Sequence, residues 1–449
     1  MAVLAFVQPF GEGPDEINRF RVVQYICDHA SLPRGDDPAV LIPGYGGSYA
    51  FQPMLPYIIQ GHLLGILRIF TDRFDVLLIA ARMVNVVFGM GAAFCTRRLS
   101  RVLFPEKMTQ WIFSFLVVFL PQSVFIHTYV NTDSCAVFSV LLMFSIGIEG
   151  MRDGYNRKKC FLIALGVTLC ALSYYNAYGA ILVTAALFIS VYLTRIAAHV
   201  IASDGTAFPI DRVRVEWGRL LRGGFFIAFL VLIGCGWWFV RNAFLYQGDF
   251  LGMAARNACV ASTCTPEYHP LLKTTYQNQG IGVFTMVFGT DYYALLRRSF
   301  VAMFGPMSLP THYYIYETYY KIFAVGLLAV LLPVGFDLHL TWLKRNRRIF
   351  LGLCMFLMCA ITIFLCIYYS YTWDFQPQGR YLMPMLPSFM YLVTLGIRRV
   401  FYLVSELLDR LRCHSLAELL PGFLGRLLLS FIAAALLYTV FAVVVPHYL

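Results

Sequence analysis

Ten apolar runs follow one another along this chain, each close to the length of about 20 residues that an α-helix needs to cross the hydrocarbon layer of a bilayer. They lie at residues 74–95, 108–126, 135–150, 160–175, 176–194, 224–245, 318–335, 350–371, 381–397 and 427–445. Inside that layer each backbone N–H and C=O must find its partner within the segment, so the runs are read as helices. Only 13% of the 449 residues are charged and 59% are apolar, where soluble domains carry about 25% charge. The expected fold is therefore an all-α polytopic membrane protein.

The net charge of +11 would suit nucleic acid if the basic residues formed a stripe. They fall instead in clusters on alternate connections: Arg97, Arg98, Arg101, Lys107; Arg152, Arg157, Lys158, Lys159; Arg195, Arg212, Arg214, Arg219, Arg222; Lys344, Arg345, Arg347, Arg348; and Arg398, Arg399, Arg410, Arg412, Arg426. That pattern excludes a nucleic-acid partner and puts those loops in the cytoplasm. Residues 11–70, 126–134, 246–317 and 372–380 are then outside. The apolar start, residues 1–10, would rise only about 15 Å as a helix, so it is either a truncated first helix or a half-buried stub. Its lack of a basic leader and a small-residue cleavage site argues against a signal peptide. Residues 11–70 read as a structured outer loop rich in Gly and Pro, with a second helix near residues 54–67. Leu403, Leu407 and Leu411, among Glu406, Asp409, Arg410 and Arg412, predict an amphipathic helix along the inner leaflet within residues 398–426. The 12 cysteines show no metal-binding spacing. Cys259 and Cys264, in the long outer loop, are either a disulfide pair or two free thiols.

Four polar features converge on the outer face. The first is Gly13-Pro14-Asp15-Glu16, followed by Ile17, Phe20, Val23 and Cys27 at the spacing of an amphipathic helix on the bilayer. Pro14 suits the first helical position, with Asp15 and Glu16 in the first turn. The pair is either good capping or the acid/base of a site at headgroup depth. The second feature is the turn holding His127, Asn131 and Asp133, and the third the helix exit Trp237 to Asp249 with Arg241 and Asn242. The fourth is Trp373 to Tyr381, with Asp374 and Arg380.

Arginines on the outer side run against the positive-inside rule and are costly near hydrocarbon unless paired. The planar guanidinium of Arg380 or Arg241 suits a phosphate or carboxylate, and the alternative is snorkelling or pairing with Asp374 or Asp249. Arg297 and Arg298 are further candidates for a phosphate. Arg82 is placed facing the bundle interior. Such a set suits a lipid-linked phosphosugar: a phosphate against Arg380, and a carboxylate taking the proton of an acceptor hydroxyl in an in-line displacement.

Pro14-Asp15-Glu16 with Arg19-Phe20-Arg21, Trp238-Phe239-Val240-Arg241-Asn242, Ser299-Phe300 to Phe304-Gly305, and Gln378-Gly379-Arg380-Tyr381-Leu382-Met383-Pro384 resemble the GT-C superfamily of integral-membrane glycosyltransferases. The pattern looks closest to a related bacterial membrane-protein family of unassigned function. The resemblance implies one GT-C-like domain over residues 1–449, about 10 or 11 transmembrane helices with juxtamembrane helices in the first outer loop, in a bacterial cytoplasmic membrane. It implies transfer of a hexosyl or pentosyl group from a polyprenyl-phosphate sugar to an extracytoplasmic glycan, lipid or protein acceptor of the cell envelope. Carried over, Asp15 becomes the base, Glu16 its neighbour or a metal ligand, and Arg380 a donor-phosphate ligand, with Arg241, Arg297 and Arg298 the further phosphate candidates read from the residues themselves. His127, Asn131, Asp133, Asn242, Asp374 and Tyr381 become substrate contacts. A divalent cation, Mg or Mn, is an optional cofactor with Asp15 and Glu16 as its ligands. Two departures are the incomplete first helix and the lack of a large soluble domain after the last span. The competing class is a transporter or flippase of a lipid-linked sugar or polymer, with Arg82 as its mid-membrane ion.

Overall fold

The computed structural model describes residues 1–201, 207–332 and 345–449. The chain opens with α1 (Ala2–Val7), α2 (Glu16–His29) and α3 (Leu55–Leu67). The bundle follows as α4 (Phe74–Leu103), α5 (Lys107–Val118), α6 (Pro121–Phe125), α7 (Asp133–Asp153), α8 (Arg157–Ala171) and α9 (Gly179–Val191). An antiparallel pair, β1 (Leu193–Ile201) and β2 (Ala207–Val215), leads to α10 (Trp217–Leu245). The long connection holds α11 (Met253–Thr263), α12 (Val283–Phe288), α13 (Tyr292–Val301) and the two-residue strands β3 (Met303–Phe304) and β4 (Leu309–Pro310). The remaining elements are α14 (Tyr313–Ala329), α15 (Arg345–Thr372), α16 (Leu386–Arg410), α17 (His414–Tyr438), a π-helical turn (Thr439–Val444) and α18 (Val445–Tyr448). Among the described residues, five helices, starting at Phe74, Asp133, Trp217, Asn346 and His414, are long and apolar enough to cross a membrane.

The core forms around α7, which is buried along nearly its whole length and packs on α4, α8 and α9. Its small residues make this possible. Ser139 and Ser145 turn their hydroxyls back to the carbonyls of Ala136 and Leu142 at 2.7 and 3.0 Å, and so present no unpaired polar group to their neighbours. At the end of the bundle that carries the basic clusters, Arg98 pairs with Glu149, Arg398 with Glu106, and Arg399 donates to the carbonyls of Ala329 and Leu332 at the end of α14. α10 exposes most of its apolar surface, as a helix at the rim of a bundle facing lipid would.

Several expected boundaries shift for local reasons. The run at 108–126 is two helices, because Pro121 cannot donate into the ladder of α5 and starts α6. The separate inner-leaflet helix expected around Leu403–Leu411 is the continuation of α16, which runs unbroken to Arg410. Pro14 is not the first helical residue: α2 begins at Glu16, and Asp15 precedes it with a φ of 62°. The four apolar residues expected to share one face of α2 do not share one environment. The buried face of the helix is Glu16, Arg19, Phe20, Val22, Val23 and Ile26, which packs on α3, while Ile17 is exposed. Two buried charges thus set the helix's orientation, and apolar spacing alone misses that. Cys259 and Cys264 are free thiols, and Cys259 donates to the Gly46 carbonyl at 3.3 Å. The end of the expected 318–335 run and Lys344 lie outside the described residues.

Candidate active site

Asp15 is held by two arginines. Arg380 donates through Nη2 to Asp15 Oδ2 at 2.7 Å and through Nη1 to the Pro14 carbonyl at 3.3 Å. Arg19, one turn into α2, brings Nη2 to 3.8 Å of the same carboxylate oxygen and Nη1 to 3.5 Å of Asp133 Oδ2. The left-handed backbone at Asp15 costs a non-glycine residue of order 1 kcal/mol, and such strain persists where the surroundings over-determine it. Burial opposes the charge on Asp15, but the Arg380 and Arg19 guanidiniums outweigh it and hold the carboxyl down to about 2.

Arg380 is placed by an interlock between two of the sequence motifs. The Gly379 N–H donates to Ser299 Oγ at 2.7 Å, and a Cβ on Gly379 would fall 2.1 Å from the Phe300 nitrogen. Only a glycine lets the 379–385 turn lie against the end of α13. From there a hydrogen-bonded chain crosses the site. Arg380 Nη2 donates to the Tyr381 hydroxyl at 3.2 Å, that hydroxyl donates to Gln376 Oε1, and Gln376 Nε2 donates to Asp374 Oδ2 at 2.6 Å. Asp374 also pairs with Lys273 at 3.2 Å. Burial pushes the Tyr49 and Tyr381 phenols up, so both keep their protons.

Asp15, Arg19, Arg380, Tyr381, Gln376 and Asp374 line a cavity of about 420 Å³. Its remaining walls come from Asn18 of α2, the first loop (Ile42, Tyr45, Ser48, Tyr49, Gln52), the α8–α9 turn (Tyr174, Tyr175, Asn176), Met253, Arg256 and Tyr268 of the long connection, and Cys366 and Tyr369 of α15. The two loops are joined at Gly44–Gly47. Thr265 N–H donates to the Gly44 carbonyl at 2.8 Å and Thr263 Oγ1 to that of Gly46 at 2.8 Å, and a Cβ on Gly46 would meet the Cys264 nitrogen at 2.6 Å.

The cavity brings together Asp15, Arg380, Asp374 and Tyr381 of the residues singled out on sequence. Asp133 stands behind it, buried against Arg19. The others lie elsewhere. Glu16 faces away from Asp15 and is fully buried against Arg82, whose Nε and Nη2 donate to its two oxygens at 2.8 and 2.6 Å, while it accepts the Val130 N–H at 3.0 Å. Asp15 and Glu16 therefore do not converge as a two-carboxylate metal site. Among the described residues no group of three or more His, Cys, Asp or Glu side chains converges.

Arg241 donates to the Pro33 carbonyl at 2.7 Å and sits 5.3 Å over the Trp238 ring, so it secures the 31–38 loop. Asn242 donates to the Phe250 carbonyl at 3.4 Å. His127 meets Ser134 Oγ at 2.6 Å, and burial brings its imidazole down to about 3, which keeps it neutral. Asn131 ties the same turn together through Ile126 O, Tyr129 O and Ser134 N. Arg297 and Arg298 are exposed on α13, with Arg297 over Tyr320 at 4.7 Å. Sequence reasoning left out Arg19 and Arg256 as site residues. Only the Gly-Tyr-Gly-Gly run at 44–47 hinted that the first loop would close on another segment.

No protein-family model matches the chain, and no curated protein matches it in sequence. Its fold is shared with solved structures of the Archaeoglobus fulgidus oligosaccharyltransferase. One, tethered by a disulfide to an acceptor peptide containing the NVT sequon, aligns at a TM-score of 0.50 and 13% identity over 96% of this chain and 54% of that one. Another, the enzyme AglB in complex with an inhibitory peptide and a dolichol-phosphate, aligns at 0.51 and 13% identity over 100% of this chain and 54% of that one. The chain thus spans about half the length of each. At such identity the likeness is one of fold, and chemistry has to be argued from the site. Within those bounds, this chain is an all-α polytopic membrane protein that shares the fold of the aligned half of this oligosaccharyltransferase.

Proposed function

We propose that the protein is a membrane glycosyltransferase that moves a sugar from a polyprenyl-phosphate carrier to an acceptor hydroxyl or amide, with the cavity on the extracytoplasmic face. The observation that carries this reading is the Arg380–Asp15 pair, a guanidinium and a carboxylate 2.7 Å apart in a polar cavity. The pair supplies the two groups that such a transfer needs. Asp15 accepts the proton of the acceptor as its oxygen or nitrogen bonds to the anomeric carbon. The anomeric C–O bond to phosphate breaks, and Arg380 stabilises the departing lipid phosphate.

The ion pair gives this site a built-in order. A carboxyl held at about 2 is a weak base, because Arg380 and Arg19 stabilise its charged form. A donor phosphate placed on Arg380 competes for the same guanidinium and adds a negative charge beside Asp15. Both effects make Asp15 more basic once donor is bound. Supporting this reading too is the fold's likeness to a protein solved with dolichol-phosphate and with acceptor peptide. The transporter alternative leaned on Arg82, which is committed to Glu16 and to the carbonyls of Ala5, Gln8 and Pro9.

The test uses the protein in nanodiscs with a panel of polyprenyl-phosphate sugars, following release of lipid phosphate. Release is expected from wild type, with loss in Asp15→Asn while donor still binds, and weakened donor binding in Arg380→Ala. Donor binding without release in any protein would favour a transporter.

A further inference from the structure

The cavity holds three arginines, and they differ in how their charge is met. Arg380 and Arg19 face Asp15 and Asp133. Asp374, the other carboxylate on the wall, is engaged by Lys273 and Gln376. Arg256, on α11, faces no carboxylate within 4.0 Å among the described residues; its neighbours are phenols. It donates through Nη2 to the Tyr45 hydroxyl at 2.6 Å and lies 5.8 Å from the Tyr45 ring centre, with Tyr369 lining the same part of the cavity.

That placement is held firmly. Tyr45 sits inside the Gly44–Gly47 turn, and the carbonyls of that turn accept from Thr263, Cys259 and Thr265 at the end of α11 and just beyond. The segment that carries Arg256 and the segment that anchors it are therefore one unit. An arginine half-buried in a cavity wall without an acid beside it keeps an unpaired positive charge, and its planar fork suits phosphate or carboxylate. Tyr369 also lines the cavity beside Arg256, and its ring centre is 6.4 Å from that of Tyr381, which hydrogen-bonds Arg380.

We infer that Arg256 receives a second anionic group, a phosphate or carboxylate distinct from the phosphate at Arg380. It is either the second phosphate of a lipid diphosphate donor or an acidic group on the acceptor. The inference rests on the donor reading above only for what occupies Arg380. Arg256 is a specificity residue in this scheme, because it touches substrate away from the bond that breaks.

The experiment measures binding of farnesyl phosphate and farnesyl diphosphate to the full chain in neutral phosphatidylcholine nanodiscs, with and without added inorganic phosphate. If the second anion belongs to the donor, wild type binds the diphosphate about tenfold or more tightly than the monophosphate, since a hydrogen-bonded charge contact is worth that much. That ratio collapses toward one in Arg256→Gln and is intermediate in Arg256→Lys, which keeps the charge without the fork. If it belongs to the acceptor, the two lipids bind alike, and inorganic phosphate binds the farnesyl-phosphate-loaded wild type but not the loaded Arg256→Gln. Arg256→Lys gives the reading if the glutamine variant does not fold. Lipid binding with neither a diphosphate preference nor phosphate binding that depends on position 256 overturns the inference. Failure of the donor reading looks different: neither lipid binds, whereas phosphate alone still binds in a manner that depends on Arg256.

Discussion

Asp15 and Glu16 are neighbours in the chain and each meets an arginine, yet their surroundings are opposite. The Arg82–Glu16 pair is closed. Both side chains are within 1% of full burial, and between them Val130, Gly11 and the carbonyls of Ala5, Gln8 and Pro9 use the remaining hydrogen-bonding capacity. It fastens α1 and the start of α2 to α4. The Arg380–Asp15 pair is open: Asp15 keeps 36% of its side chain exposed, lies in a cavity and sits on a strained backbone. The same two chemical groups thus serve as a fastener where every partner is satisfied and, in the function proposed above, as a reactive pair where capacity is left over.

Breaking the closed pair should have the largest effect on stability. Arg82→Ala leaves Glu16 buried without its counter-charge and is expected to cost about 3–5 kcal/mol, read as a lower apparent Tm in detergent. A wild-type Tm would show that water reaches Glu16 and that the fastener is not one. Next comes Gly379→Ala. Its Cβ would sit 2.1 Å from the Phe300 nitrogen, so the 379–385 turn must move, at about 1–3 kcal/mol by the measure of overpacked cores. Because Arg380 rides on that turn, donor binding should weaken in parallel; donor affinity left intact would separate the turn from the site.

The open pair also predicts an acid limb. The carboxyl of Asp15 is lowered from 3.8 to about 2. Its contribution to stability is therefore present above about pH 4 and is lost as pH falls through about 2. In Asp15→Asn that part of the acid-unfolding curve should flatten between pH 4 and 2, and an unchanged curve would mean that the pairing with Arg380 is weaker than its geometry. The smallest effect is expected at Arg241→Ala, which removes a clamp on the Pro33 carbonyl. About 1 kcal/mol of stability should go, with sugar transfer unaffected. A loss of transfer larger than that of Tm would return Arg241 to the donor-phosphate candidates.

These pairs also mark how far the sequence could be read. The order of apolar runs predicts the helices, because hydrophobic length is a local property. Asp15, Arg380, Asp374 and Tyr381 were readable as candidates because charges in outer loops next to apolar runs are conspicuous. Which acid meets which arginine was not. Arg82 reaches Glu16 across 66 residues and Arg256 reaches Tyr45 across 211, and neither spacing leaves a local pattern. The burial of Glu16 and Arg19 was hidden for the same reason. A charged residue reads as solvent-facing until its distant partner is known. His127, Asn131 and Asn242 were conspicuous for being polar near a membrane, and they meet backbone carbonyls and hydroxyls that any buried turn must satisfy.

The most direct measurement sets Asp15→Asn beside Glu16→Gln, following lipid-phosphate release and apparent Tm on the same preparations. The two carboxylates should separate. Asp15→Asn is expected to lose only the stability that its lowered carboxyl contributes, a smaller drop in Tm than that of Glu16→Gln, and to lose about 10²–10⁴-fold in release, the usual worth of a general base. Glu16→Gln should lose Tm by several degrees, with whatever remains folded still active. Full release by Asp15→Asn, or a Glu16→Gln protein with unchanged Tm and no release, would contradict the division of labour proposed for these two residues.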